Sequence, residues 1–256
     1  MIVTIAGKEL KTLFASPLAW LVLTVLQFVL GYAFLKRLDD FLQLQPQLIQ
    51  LASPPGVTEM VAAPTFALAA IVLLFAVPLL AMRVIAEERR NQTMVLLISS
   101  PVSIMEIVLG KFVGLLVFLL IIIALLALMP LSLAATTQLD YGLLGSTLLG
   151  LVLLATNFAA VSLYVSSLTA QPMAAALGAF AALLAMLLMG ETAGDTLRAR
   201  AWDIPAALVQ VFSPLKNFEP LGKGVIDTAV IACSLLLTVM FLILTVRRLD
   251  AQRVRG

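Results

Sequence analysis

The sequence of 256 residues is 62% hydrophobic and only 12% charged, whereas a soluble domain carries about a quarter charged residues. This composition predicts an integral membrane protein. The formal net charge of +2 comes without a basic run of five residues, which argues against a nucleic-acid partner. With no histidine and one cysteine, Cys233, the chain lacks the usual ligands of metal or haem sites and cannot form an internal disulfide framework.

Stretches without charged residues define the predicted spans, because a charge at the bilayer centre costs about 2.5 to 3.5 kcal/mol. A crossing helix needs about 20 residues, so the uncharged stretch 141–190 must hold two helices, separated at Gln171-Pro172. We therefore predict a single all-α membrane domain over residues 1–256. Its six spans are 17–35, 62–82, 112–133, 142–168, 173–190 and 226–246. The fifth is rich in alanine and glycine and is expected to be the most buried.

The distribution of Lys and Arg predicts the orientation of the chain. Six spans place both termini on the same side. If that side is the cytoplasm, the inner segments hold ten of the sixteen basic residues but only five of the fourteen acidic ones. We therefore expect a multi-pass protein of the bacterial cytoplasmic (inner) membrane with both termini cytoplasmic. The first fifteen residues lack a cleavage site, so the first span should remain in the mature protein.

Residues 1–15 predict a short helix that lies in the membrane interface. One side of this helix is apolar and the other carries Lys8, Lys11 and Thr12. The apolar stripe consists of Ile2, Ala6, Leu10 and Leu13. Ser16-Pro17 marks the turn into the first span.

The predicted outer segment, residues 191–225, is too apolar for an ordinary loop. Its apolar residues include Trp202, Ile204, Leu208, Val211, Phe212, Leu215 and Phe218. We expect short re-entrant helices broken at Pro205 and Pro214. The alternative is a plain interfacial anchor.

The predicted cytoplasmic segment, residues 84–110, reads as helix, turn, helix. Helical spacing aligns Glu87 and Arg90 with an apolar patch of Met94, Leu97 and Ile98. Ser99-Ser100-Pro101 ends this helix, and Ser103 with Glu106 forms a predicted capping box for the next one. Such a charged and apolar ridge suits insertion into a groove of a soluble partner. An elbow that only rests on lipid remains the alternative.

Polar residues inside the spans are few. Most of them, including Thr156, Ser162, Ser166 and Ser167, are expected to form hydrogen bonds between helices. Asn157 is a candidate pathway or subunit-contact residue. The uncharged stretches that define the spans, 12–35, 60–82, 112–139, 141–190 and 228–246, contain no charged residue, which disfavours ion-coupled transport. No phosphate-binding loop is present, so we predict a non-enzymatic chain without its own ATPase site.

Two stretches carry a resemblance to a known family. "EERRNQTMVLLISSPVSIMEIVLGKFVG", which begins at Glu87, resembles the cytoplasmic segment of type-2 ATP-binding-cassette (ABC) export permeases. "FSPLKNFEPLGKGVIDTAVI", which begins at Phe212, resembles the last outer segment and final span of the gliding-motility (GldF-like) subgroup. The matched positions are Glu87, Glu88, Thr93, Leu97, Pro101, Gly110 and Lys111 in the first stretch, and Phe218, Glu219, Gly224, Val225, Ile226 and Asp227 in the second. Gln92 departs from the glycine that the family usually has before the threonine.

The resemblance implies a permease subunit of an ATP-driven exporter. Such a subunit forms the translocation pathway as a dimer with a second copy or a related membrane subunit, and two cytoplasmic ABC ATPase subunits bind ATP and Mg. The chain itself would bind no cofactor. Residues implied in ATPase coupling are Glu87, Glu88, Arg89, Arg90, Thr93, Met94, Leu97, Ile98 and Pro101; an outer-gate motif comprises Phe218, Glu219, Gly224 and Asp227.

Two other classes of function compete with transport for this sequence. A non-transporting scaffold or assembly factor of an ABC-type complex is the main alternative. A lipid-modifying enzyme is disfavoured, because the acidic pairs Asp39-Asp40 and Glu87-Glu88 lack a second motif that would complete a two-metal site.

Overall fold

The computed structural model describes residues 1–48, 55–92, 103–135, 137–199 and 212–253. These residues form helices and connecting turns, with no β-strand among them. Six of the helices are long and apolar enough to cross a membrane. The predicted fold class, an all-α integral membrane protein with six spans, is therefore confirmed.

The helices extend beyond the predicted spans. They are α1 (Ile2–Ala15), α2 (Pro17–Leu48), α3 (Ala63–Arg90), α4 (Ile104–Leu131), α5 (Tyr141–Leu168), α6 (Pro172–Ala199), α7 (Pro214–Gly222) and α8 (Thr228–Arg253). A π-helical turn, Thr58–Ala62, leads into α3, and a 3₁₀ turn, Ser132–Ala135, follows α4.

Three local predictions from the sequence are confirmed. Ser16 separates α1 from α2, and the segment before Pro172 separates α5 from α6. The capping box is present at the start of α4: Ser103 Oγ accepts a hydrogen bond from the Glu106 backbone N–H at 3.2 Å, and the Ser103 N–H donates to Glu106 Oε2 at 3.2 Å. Together these bonds satisfy two N–H groups that would otherwise lack partners.

Helices α3 and α5 form the centre of the bundle. In the most apolar window of each, 61% of the residues are buried, against 28% in α2, α6 and α8. The prediction that the fifth span is the most buried helix was wrong. Ala175, Ala179 and Leu183 of α6 are buried, but Met173 and Leu177 are 78% and 68% exposed. Small residues permit close helix packing, but they do not determine how many neighbours surround a helix.

Helix α1 packs along the first turns of α4. A Cβ added at Gly110 would lie 2.7 Å from Ile5 Cβ, and one added at Gly114 would lie 2.7 Å from Glu9 Cβ. Further along, the rings of Phe14 and Phe118 meet edge to face, with centroids 5.1 Å apart. Successive turns of α1 thus contact successive turns of α4 in the same direction. The short N-terminal helix is present as predicted, and one side of it packs on α4. Its position in the membrane interface stays a prediction.

The helix ends define two ends of the bundle. At the α1 end, α1 meets the end of α3 and the start of α4, and the end of α3 also contacts the end of α5. At the α7 end, α7 packs on the first half of α5, where Phe218 and Leu221 lie against Gly150. The described residues implied in coupling, Glu87 to Arg90, lie at the α1 end, and the outer motif lies at the α7 end.

Replacing Gly114 by alanine should destabilise the protein, because the new Cβ would collide with Glu9 Cβ and with the Ala6 carbonyl oxygen at 2.9 Å. We expect a loss of about 1 to 3 kcal/mol, as in other overpacked cores, measured as a lower midpoint of thermal unfolding in detergent. Gly145→Ala is the matched control, since a Cβ there meets nothing within 4 Å and should be neutral or slightly stabilising. Equal midpoints for the two variants would contradict the close contact between α1 and α4.

Candidate functional site

A buried cluster of charges lies at the α1 end and joins three helices. Lys111 of α4 is 0% exposed. Its Nζ lies 2.6 Å from Glu9 Oε1 of α1 and 2.8 Å from Glu88 Oε2 of α3, and it donates a hydrogen bond to the Val84 carbonyl at 2.7 Å. Lys8 Nζ approaches Glu88 Oε1 at 3.6 Å from the exposed side. We call Lys8, Glu9, Glu88 and Lys111 the Lys111 cluster.

Helical periodicity places Glu9 and Lys111 of the Lys111 cluster on the packed sides of their helices. Glu9 lies on the buried stripe of α1, between Ala6 and Leu13. Lys111 lies two turns into α4 and points between α1 and α3. The ammonium is buried only because two carboxylates and a carbonyl surround it, since an unpaired charge in a low dielectric costs several kcal/mol.

Two charged residues outside the predicted spans are buried in the bundle. Lys111 precedes the predicted third span, 112–133, but α4 begins at Ile104, and Lys111 is 0% exposed. Glu9, one of the five acidic residues assigned to the inner side, is 6% exposed. The physical reason for this burial is mutual neutralisation, which lets opposite charges from different helices enter the bundle together.

The prediction of one continuous helix from Glu87 to Ile98 is wrong. Glu87 belongs to the last turn of α3, which ends at Arg90, and Gln92 has φ +58°. A left-handed residue at this position breaks the helical register, so Glu87 and Arg90 cannot continue as one stripe into the apolar patch. Among the residues implied in coupling, Thr93, Met94, Leu97, Ile98 and Pro101 lie outside the described residues.

The four charged residues at the end of α3 have different surroundings. Glu87 Oε2 lies 3.7 Å from Arg83 Nε on the same helix. Glu88 belongs to the Lys111 cluster. Arg89 donates to the Ser167 carbonyl at the end of α5, and Arg90 is exposed. Glu88 and Arg89 therefore hold the bundle together, whereas Glu87 and Arg90 face outward.

The end of α5 also binds α3 directly. Ser166 Oγ accepts from the Ala86 N–H at 3.1 Å and donates to the Met82 carbonyl at 3.3 Å. The predicted hydrogen bonding between helices is confirmed for this serine. Together with Arg89, it fixes the last two turns of α3 against α5.

The outer motif forms a helix stop at the α7 end. Gly224 has φ +85°, its N–H donates to the Leu221 carbonyl at 3.1 Å, and the Val225 N–H donates to the Pro220 carbonyl at 2.9 Å. This pair of bonds is a Schellman motif, which needs the left-handed conformation that glycine adopts without strain. Asp227 Oδ1 then accepts from the Ala229 N–H at 2.8 Å at the start of α8.

The other two residues of the outer motif lie on α7. Phe218 is buried, and a Cβ added at Gly150 of α5 would lie 3.0 Å from its ring. Glu219 is exposed. The structure therefore gives Phe218, Gly224 and Asp227 defined local roles in packing and in ending or starting helices.

Asn157 joins two helices inside this chain. It is 1% exposed, and its Oδ1 accepts a hydrogen bond from Thr238 Oγ1 of α8 at 2.8 Å. Its Nδ2 has no hydrogen-bond partner in the described part of the chain. The side chain thus contributes to the packing of α5 on α8. Among the described residues, no group of three His, Cys, Asp or Glu side chains could hold a metal ion.

Six apolar helices and a buried charge cluster at one end define a multi-pass membrane protein. A comparison with protein families matches residues 3–253 to the ABC-2 family transporter protein. The chain therefore belongs to the ABC-2 transporter family and is a permease subunit of an ABC transporter. Permeases of this family work with ABC ATPase partners. A comparison with curated proteins gives no match.

Replacing Lys111 by methionine should strongly destabilise the protein, because Glu9 would lose its counter-ion at a buried site and Glu88 would lose the nearer of its two lysines. The expected loss is about 3 to 5 kcal/mol, measured by unfolding in detergent. Lys8→Met is the matched control: its side chain is 61% exposed, and an exposed ion pair contributes little. Adding Glu9→Gln and Glu88→Gln to Lys111→Met should recover part of the loss. A Lys111→Met protein as stable as Lys8→Met would show that the cluster contributes no stability.

Replacing Gln92 by glycine should stabilise the protein by up to about 1 kcal/mol. The left-handed conformation costs a residue with a side chain about 1 to 2 kcal/mol, and the greater freedom of glycine in the unfolded chain offsets part of this gain. Asn91→Gly is the control, because Asn91 has φ −84° and gains no relief. Thermal unfolding of both variants would test this, and a lower midpoint for Gln92→Gly would exclude strain at this turn.

Proposed function

We propose that this permease subunit works in an ATP-driven exporter, forms the translocation pathway as a dimer with a second copy or a related subunit, and is driven by two cytoplasmic ABC ATPase subunits. ATP and Mg would bind to the ATPases, and this chain would bind no cofactor. In this proposal the protein lies in the bacterial inner membrane with its α1 end and both termini in the cytoplasm. The excess of basic residues at that end supports this orientation.

The Lys111 cluster is the observation that carries the proposal. Residues 91–103 connect α3 to α4, and the cluster lies close to this connection on both helices: Glu88 is near the end of α3, and Lys111 is near the start of α4. Glu9 adds α1 to the same contact. A displacement of the connecting segment would therefore move α1, α3 and α4 together, as expected for an element that transmits a push to the spans.

The proposed coupling element consists of the exposed end of α3 and the segment that follows it. Glu87 and Arg90 would orient the ATPase through charge, while Met94, Leu97 and Ile98 would supply the apolar contact. Thr93 and Pro101 would shape this segment. Glu88 and Arg89 would act mainly by transmitting the movement, because both are bound within the bundle.

At the other end, the outer-gate role of Phe218, Glu219, Gly224 and Asp227 is also a proposal. It is supported by the tight stop between α7 and α8, which would make these helices move as a unit with α5. Asn157 is better explained as a contact between α5 and α8 than as a pathway residue. Membership of the gliding-motility (GldF-like) subgroup is a further proposal, based on the resemblance of residues 212–231.

Replacing Leu97 by aspartate should uncouple the permease from its ATPases, because a charge would enter the proposed apolar contact. We expect ATPase subunits encoded beside this chain to co-purify with the wild type in detergent or nanodiscs and to be lost from the variant. Leu44→Asp is the matched control, since Leu44 is 40% exposed on the part of α2 nearest the α7 end. The rate of ATP hydrolysis is then measured for the purified wild type and for both variants.

The outcomes of this experiment test the docking assignment and distinguish a transporter from the scaffold alternative. Normal coupling in Leu97→Asp would overturn the docking assignment. Absence of an ATPase partner from the wild type and both variants would favour a non-transporting scaffold or assembly factor. Stimulation of ATP hydrolysis by an added substrate would support an exporter.

A further inference from the structure

A second feature of the α1 end is a cavity on the outside of α3, away from α1. It has a volume of about 730 Å³ and lies between α2, α3 and α6. Ligand sites in proteins typically measure about 300 to 1,000 Å³. The cavity is lined by residues that include Leu18, Leu79, Arg83, Glu87, Arg90 and Leu177.

The polar part of the cavity has an excess of positive charge. Arg83 and Arg90 contribute two positive charges, and Glu87 contributes one negative charge. Arg83 Nη1 donates to Ser16 Oγ at 2.8 Å, and its Nε faces Glu87 at 3.7 Å, which fixes the guanidinium and leaves further N–H donors. Arg90 is exposed and has no ion pair or side-chain hydrogen bond in the part of the chain that the structure describes. Two guanidinium groups at one rim can bind a phosphate by charge-assisted hydrogen bonds.

The wall of the cavity becomes apolar with depth. Leu79 lies eleven residues before Arg90 on α3, which is about 16 Å along the helix at a rise of 1.5 Å per residue. Leu79 is 40% exposed, and Leu177 across from it on α6 is 68% exposed. Both side chains belong to helices that are long and apolar enough to cross a membrane. The cavity therefore has a basic rim at the end of the bundle and an apolar wall along two candidate spans.

We propose that this cavity binds an anionic phospholipid, with its phosphate held by Arg83 and Arg90 and its acyl chains along Leu79 and Leu177. Basic sites between spanning helices are suited to lipid head groups. A soluble anion would use the arginines but gain nothing from the apolar wall, whereas a phospholipid matches both parts in the orientation that the bilayer imposes. A bound lipid would join the last turns of α3 to the start of α6.

The site can be tested on the full chain in detergent by native mass spectrometry, with equal amounts of phosphatidylglycerol and phosphatidylcholine of the same acyl chains. We expect about a tenfold preference for phosphatidylglycerol, the effect of one charge-assisted hydrogen bond. Arg83→Gln with Arg90→Gln should abolish that preference. Arg90→Gln alone should weaken it and leaves the Arg83 contact with Ser16 intact, so it remains informative if the double variant does not fold.

The matched control is Lys11→Gln with Arg247→Gln. It also removes two positive charges from the α1 end, but at exposed residues that do not line this cavity, and it should keep the preference. An equal loss in the control would overturn the site in favour of general surface charge. Equal retention of both lipids by the wild type would also overturn it. Displacement of the lipid by inorganic phosphate at equal concentration would indicate a soluble-anion site and exclude the proposed one.

Discussion

The burial of Lys111 is the constraint on which the α1 end of the structure depends. An ammonium with no solvent exposure requires counter-charges, and these come from α1 and α3. The close contact at Gly114 brings Glu9 within reach, while the length of α3 brings Glu88 there. The position of the N-terminal helix thus follows from an electrostatic requirement of α4 as much as from its own apolar stripe.

The two ends of the bundle are stabilised by different interactions. At the α1 end, charges and hydrogen bonds join α1, α3, α4 and α5. At the α7 end, backbone bonds around Gly224 and the apolar contact of Phe218 with α5 hold the short helix. The hydrogen bond between Asn157 and Thr238 lies between these ends and holds α8 against α5. Helix α5 is therefore a shared packing surface for the elements at both ends.

Features that depend on neighbouring residues were predictable from the sequence. The six spans follow from charge-free length, and the capping box at Ser103 follows from a spacing of three residues. The Lys111 cluster needed more, because Glu9 and Lys111 are 102 residues apart in the chain. A signal was present: Glu9 lies between Ala6 and Leu13 on the apolar side of α1, and Gly110 and Gly114 flank Lys111. A count of charges on each side of the membrane does not reveal this pairing, because it does not say which side chains face each other. The burial of α6 could not be predicted, because composition does not reveal how many helices surround a given one.

Arg83 occupies the boundary between the two sites at the α1 end. One side of this residue faces the groove beside Glu9 and Glu88, and the other faces the cavity beside Leu177. The last two turns of α3 are therefore bound by α1 and α4 on one side and would be bound by lipid and α6 on the other. Under the proposed function, these turns also receive the push from the ATPases. Lipid occupancy would then change the stiffness of the element that transmits it, because a ligand that joins α3 to α6 stabilises the arrangement in which both are in contact.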